Sequence, residues 1–184
     1  MRKVLYIFGL LTDADVDWIA RTGERRRVHD KEIVIKEGTP VQWLIFLLDG
    51  EFVVSAQTVG EVARLGVGEI VGEMSLIDSA PQSATVVANG DCMALFLDKE
   101  TLLRKLEADA AFGSRFYKAL AVFLADRLRG TVRRLGYGNE QPFDSPAIAK
   151  DELDVGILDG VSMAGDRFDR MLKILIGEPG LRDR

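Results

Sequence analysis

Cysteine and histidine are nearly absent from this chain of 184 residues: Cys92 and His29 stand alone. A single cysteine excludes an internal disulfide and a thiolate metal site. Such usage fits a reducing cytoplasm. A single histidine excludes a multi-histidine metal centre and leaves little for nucleophilic catalysis. His29 follows Glu24-Arg25-Arg26-Arg27-Val28, where a surface strand or turn is its expected setting. No apolar run approaches the roughly 20 residues of a membrane span. The opening MRKVLYIFGLLTDAD lacks a small-residue cleavage site and turns acidic at Thr12–Asp15, so it reads as a mature N-terminus rather than a signal peptide. A basic excess is missing too. The net charge is −5; ten acids against six bases leave −4 on residues 139–184 and −1 on the rest. Neither part has the cationic surplus of a nucleic-acid binder. The run Arg25–Arg27 is short enough for a solvated strand edge. Neither direct nucleic-acid binding nor membrane binding is expected.

What is present divides into three textures. Residues 4–21 carry a helical pattern: Thr12 is a candidate N-cap, Asp13 and Asp15 suit the positive end of a helix, and Val16, Ile19 and Ala20 share a face. From 25 to 97, short β-rich runs (RRRV, EIVIKEG, WLIFLLDG, EFVVSA, EVARLGVGE, SATVVANG, CMALFL) are punctuated by Gly, Asp and Pro. Strands at that spacing predict a sandwich or barrel. Gly38, Gly50, Gly60, Gly66, Gly68 and Gly90 sit where tight turns call for positive φ. The unbroken LIFLL predicts a strand buried on both faces.

After Leu97 the chain turns helical again. Asp98 is placed to cap a helix over KETLLRKLEAD with Leu102, Leu103 and Leu106 inward. A long helix is expected over about 110–135, with Phe116, Leu120, Phe123, Leu124 and Leu128 recurring at three- and four-residue steps. Its stripe is wider than one sheet would cover, which favours a symmetric homodimer through these five residues over simple capping of the β-domain. Residues 137–156 read as a hydrophilic, acidic linker, expected to be mobile. Residues 157–176 form a second amphipathic pattern in which Phe168, Met171, Leu172 and Leu175 lie on one face. Such a helix cannot bury its stripe alone, so these four are candidates for docking on the domain itself, a second subunit or another protein.

One segment is specific. VGEMSLIDSAPQSATVVA, residues 71–88, resembles the phosphate-binding cassette of the cyclic nucleotide-binding domain family. LLDGEFVVS, 47–55, is similar to that family's strand–glycine–strand corner, a weaker signal. The resemblance covers about residues 5–136. It implies a mainly β fold with flanking helices: a β-roll of the jelly-roll, double-stranded β-helix type followed by a long C-terminal helix. It also implies a pocket lined by Gly72, Glu73, Met74, Ser75, Gln82, Ser83 and Ala84. There Glu73 would accept a hydrogen bond from a ribose hydroxyl, and backbone amides near Gly72, Ser83 and Ala84 would face a cyclic phosphate. One position departs. Gln82 stands where the family carries the arginine that neutralises the phosphate. Glutamine offers neutral donors in place of a charged bidentate fork. Arg64 is a candidate substitute.

The expected function is therefore a regulatory or adaptor protein with a degenerate cassette that does not bind cyclic AMP or cyclic GMP tightly. The alternative is a true small-molecule sensor that moves the long helix and signals to a partner protein. A cyclic nucleotide is the only ligand implied, with no cofactor and no metal. A transcription regulator would need a further helix-turn-helix domain with a basic face. No spacing of residues assembles a triad or a Gly-x-Ser-x-Gly elbow, so an enzyme is not expected.

Overall fold

The computed structural model describes residues 4–78, 80–134 and 155–177. Two short helices, α1 (Val4–Leu10) and α2 (Asp13–Thr22), precede eight strands: β1 (Glu24–Val28), β2 (Ile33–Ile35), β3 (Trp43–Asp49), β4 (Phe52–Ala56), β5 (Gly60–Leu65), β6 (Ile70–Val71), β7 (Thr85–Ala88) and β8 (Cys92–Asp98). Three helices follow: α3 (Lys99–Ala108), α4 (Ala110–Arg134) and α5 (Val155–Gly177). The strands form two antiparallel sheets of order β1-β8-β3-β6 and β2-β7-β4-β5. This is the expected β-roll with its long helix.

The run LIFLL shows how the layers stack. Leu44 to Leu48 are all buried. Alternate side chains of a strand point to opposite faces. Leu44, Phe46 and Leu48 join a core shared with the helices, whereas Ile45 and Leu47 join the core between the two sheets. The first sheet is thus covered on both faces, which is why this strand reads as continuously apolar.

The N-terminal helical pattern is two helices rather than one. Thr12 interrupts it: its hydroxyl accepts the Asp15 amide at 3.3 Å, and Asp15 Oδ2 accepts the Thr12 amide at 2.8 Å. That reciprocal pair is a capping box, which starts a helix and so ends whatever precedes it. Asp98 caps α3 as expected, its Oδ2 accepting the Thr101 amide and hydroxyl, each at 2.8 Å. Five of the six glycines expected at positive φ adopt it; Gly66 does not, and Gly72 does.

The apolar stripes of α4 and α5 turn inward. Phe112, Phe116, Ala119, Leu120 and Phe123 of α4 are buried in the helical core of the chain itself. Of the five residues expected to meet a partner helix, Phe116, Leu120 and Phe123 are therefore already covered. Leu124 is half-buried and Leu128 is 65% exposed. On α5, Phe168, Met171 and Leu175 are likewise buried, with Leu172 packed partly against the same core. The helix lies on α1 and α2, and Phe168 meets Phe8, which stacks on Phe46 of β3. These four residues dock on their own chain; a free stripe on a helix is the surface that such burial removes. The expected linker, 137–156, lies outside the described residues except for its last two positions, which open α5.

Candidate functional site

The cassette opens at the end of β6. Gly72 has φ +86°, and a Cβ there would stand 2.3 Å from the Trp43 carbonyl oxygen. Only glycine lets the backbone cross β3 so closely. Ser75 Oγ donates to the Gly72 carbonyl at 2.7 Å and closes the turn, after which Met74–Leu76 form one 3-10 turn. Glu73 is directed inward from this corner and is 2% exposed.

A buried carboxylate needs a charged or hydrogen-bonded partner. Glu73 finds one on α4. Arg127 Nη1 donates to Glu73 Oε1, and Nη2 donates to the Ile70 carbonyl at 2.9 Å. The same guanidinium lies 3.7 Å from Glu69 Oε2 and over the Phe123 ring at 4.8 Å. A cationic residue therefore does enter the cassette, from the long helix rather than from position 82. The one signal in the sequence was its place: Arg127 continues the buried row Phe116, Ala119, Phe123 at helical spacing.

The other expected pocket residues divide. Gln82 is half-buried, and its backbone joins the loop before β3, the amide donating to Thr39 O at 3.3 Å and the carbonyl accepting from Gly38 N at 2.9 Å. Ser83 is exposed and Ala84 half-buried on the way into β7. Met74 is half exposed. Arg64, the expected candidate substitute, lies on β5, where its guanidinium is held by Glu61 at 2.8 and 3.0 Å and by Glu51 at 3.1 Å.

Arg25–Arg27 lie on β1, an edge strand. Arg27 pairs with Asp91 at 2.6 Å, and the Arg26 guanidinium stacks 3.7 Å from the Phe96 ring, so this run is tied to its own sheet. Among the described residues, no group of three or more His, Cys, Asp or Glu is placed to hold a metal ion. No described helix is long and apolar enough to cross a membrane.

Comparison with known proteins agrees with this geometry. The family model of the cyclic nucleotide-binding domain matches residues 25–109. A relative in Rhodopseudomonas palustris that carries the name of a potassium channel protein is 30% identical over 94 residues, covering 50% of this chain and 23% of its own length. The chain thus spans about a quarter of that relative. A solved cyclic nucleotide-binding domain of Methylobacillus flagellatus has a TM-score of 0.64 at 23% identity, over 76% of this chain and 86% of the other. The catabolite activator protein of Thermus thermophilus has a TM-score of 0.60 at 23% identity, over 94% and 87%. At this identity the two structures carry the fold alone. Over residues 25–109 this chain is similar to the cyclic nucleotide-binding domain family, and its two antiparallel sheets with flanking helices form the β-roll of that fold.

Proposed function

We propose that this protein is a regulatory adaptor whose cassette is closed by its own long helix and binds cyclic AMP or cyclic GMP weakly. The observation that carries this reading is the pairing of Arg127 with buried Glu73. A ligand that uses Glu73 must first take the carboxylate from Arg127. It would also meet Gln82 where a charged fork would bind its phosphate. Charged hydrogen bonds contribute roughly 1.5–3 kcal/mol each. Exchanging two of them for glutamine costs about 2–5 kcal/mol, or roughly 30- to several-thousand-fold in affinity.

The signalling surface in this reading is the outer face of α4. Tyr117, Ala121, Leu124 and Leu128 recur at steps of four and three and are exposed or half-buried, the pattern of a two-helix seam. A symmetric homodimer through that seam keeps Leu124 and Leu128 from the expected interface and replaces the three phenylalanine and leucine positions already buried. Position 82 separates the adaptor from the sensor. Thermal unfolding is followed with excess cyclic AMP or cyclic GMP for wild type and Gln82→Arg. A ligand at a hundred times its dissociation constant stabilises by about 2.7 kcal/mol, or roughly 5–11 °C here. The adaptor reading expects that shift only in Gln82→Arg; a full shift in wild type makes the protein a sensor.

A further inference from the structure

Three aspartates at the start of α2 each hold an arginine from a later helix. Asp13 takes Arg167 Nε at 2.8 Å, and Asp17 takes Arg170 through two bonds of 2.6 and 2.7 Å; both arginines belong to α5. Asp15 takes Arg115 of α4 through two bonds of 2.8 and 3.0 Å. Residues four apart on a helix lie about 40° apart around its axis, whereas Asp15 lies about 160° from either neighbour. The first turns of α2 therefore stand between the two helices, with α4 on one side and α5 on the other.

Asp15 ties the sides together. It is buried, and the oxygen that meets Arg115 Nε also accepts the Thr12 amide that closes the capping box. Taking Arg115 away frees the carboxylate that begins the helix presenting Asp13 and Asp17. A second path runs through α1, which packs on both α4 and α5. Arg167 Nη1 donates to the Phe8 and Gly9 carbonyls at 3.0 and 3.3 Å, at the C-terminal end of α1, where helix carbonyls lack internal partners. With seven residues, α1 is too short to be stable without these neighbours.

We infer that the first turns of α2 couple the seating of α5 to the position of α4, so that a shift of α4 releases α5 from α1 and α2 as a unit while the β-roll stays folded. The inference rests on the proposed function only in taking α4 as the helix that Arg127 holds on the cassette. It gives the chain an output that does not pass through the α4 seam.

Hydrogen exchange on the full chain tests it, reading the amides of residues 163–175 against those of β3 and β8. Asp17→Asn removes the charge and one of the two bonds of a direct contact and is expected to raise α5 exchange about tenfold. Arg115→Gln touches nothing on α5, yet is expected to raise it by a similar factor with β3 and β8 unchanged. If Arg115→Gln leaves α5 at the wild-type rate while Asp17→Asn raises it, the coupling is refuted. If neither moves α5, the clamp itself is refuted. Should Arg115→Gln also open β3 and β8, Arg115→Lys takes its place: it keeps the charge, loses the fork, and must loosen α5 alone for the inference to stand. An Arg127→Met arm separates the two proposals. If Arg127 does not hold α4, that variant leaves both α4 and α5 unmoved, while Arg115→Gln still loosens α5.

Discussion

Replacing Arg127 by methionine keeps most of the stem that packs over Phe123 and removes the charge that Glu73 faces. Glu73 is 2% exposed and Arg127 26% exposed. Losing one partner of a fully buried ion pair costs about 3–5 kcal/mol. Water reaches part of this guanidinium, so the expected loss is smaller, about 2–3 kcal/mol. For a chain of this length that lowers the melting temperature by roughly 4–12 °C. Glu73→Gln leaves Arg127 its bond to the Ile70 carbonyl and is expected to cost about 1–2 kcal/mol. The double variant holds no uncompensated buried charge at position 73, so the two losses must not add. A coupling of at least about 1 kcal/mol is expected from urea denaturation at pH 7, followed by circular dichroism. If Arg127→Met lies within about 0.5 kcal/mol of wild type, or the cycle is additive to that precision, the pair does not hold α4 on the cassette.

Gly72→Ala places a methyl group against the Trp43 backbone and is expected to cost about 2–4 kcal/mol by denaturant titration, whereas Gly38→Ala, also at positive φ but with open space around it, costs about 1 kcal/mol. Leu128→Arg is expected to shift sedimentation toward monomer with less than about 0.5 kcal/mol change in unfolding of the monomer, because Leu128 makes little contact within its own chain. Acid should weaken the clamp on α2. Burial alone would raise the Asp15 pKa, but the Arg115 fork and the Thr12 amide and hydroxyl outweigh it, and the Arg170 fork lowers Asp17; both carboxyls titrate below the ordinary 3.8. A lowered folded-state pKa contributes stability above the unfolded value that is lost as pH falls through the folded one. Denaturation midpoints are therefore expected to fall below about pH 3.8, less steeply in Asp15→Asn.

The parts of this fold legible in the sequence are those set by local rules. LIFLL announced a strand covered on both faces because a strand's alternate residues sample both. Asp98 announced α3, and Gly38, Gly50, Gly60, Gly68 and Gly90 announced tight turns, because caps and glycine conformations are decided within a few residues. The failures share a cause. A stripe on a helix says that a face is buried, not what buries it, so the α4 and α5 stripes were open to a partner until the fold turned them on α1, α2 and each other's neighbours. Arg127 is not singled out by the sequence, since its partner Glu73 lies 54 positions away and no spacing joins them. The capping box at Thr12 was half seen: Asp15 was placed at a helix start, but its second role with Arg115 depends on a contact across 100 positions.

The central claim is that Arg127, not a ligand, holds α4 against the cassette. Hydrogen exchange at the amides of residues 119–131 measures this directly in the ligand-free protein, with and without Arg127→Met. The account predicts protected α4 amides in wild type, little change on adding cyclic AMP, and loss of that protection in Arg127→Met. Weak protection in ligand-free wild type that rises on adding cyclic AMP would contradict it and make the ligand the element that seats the helix.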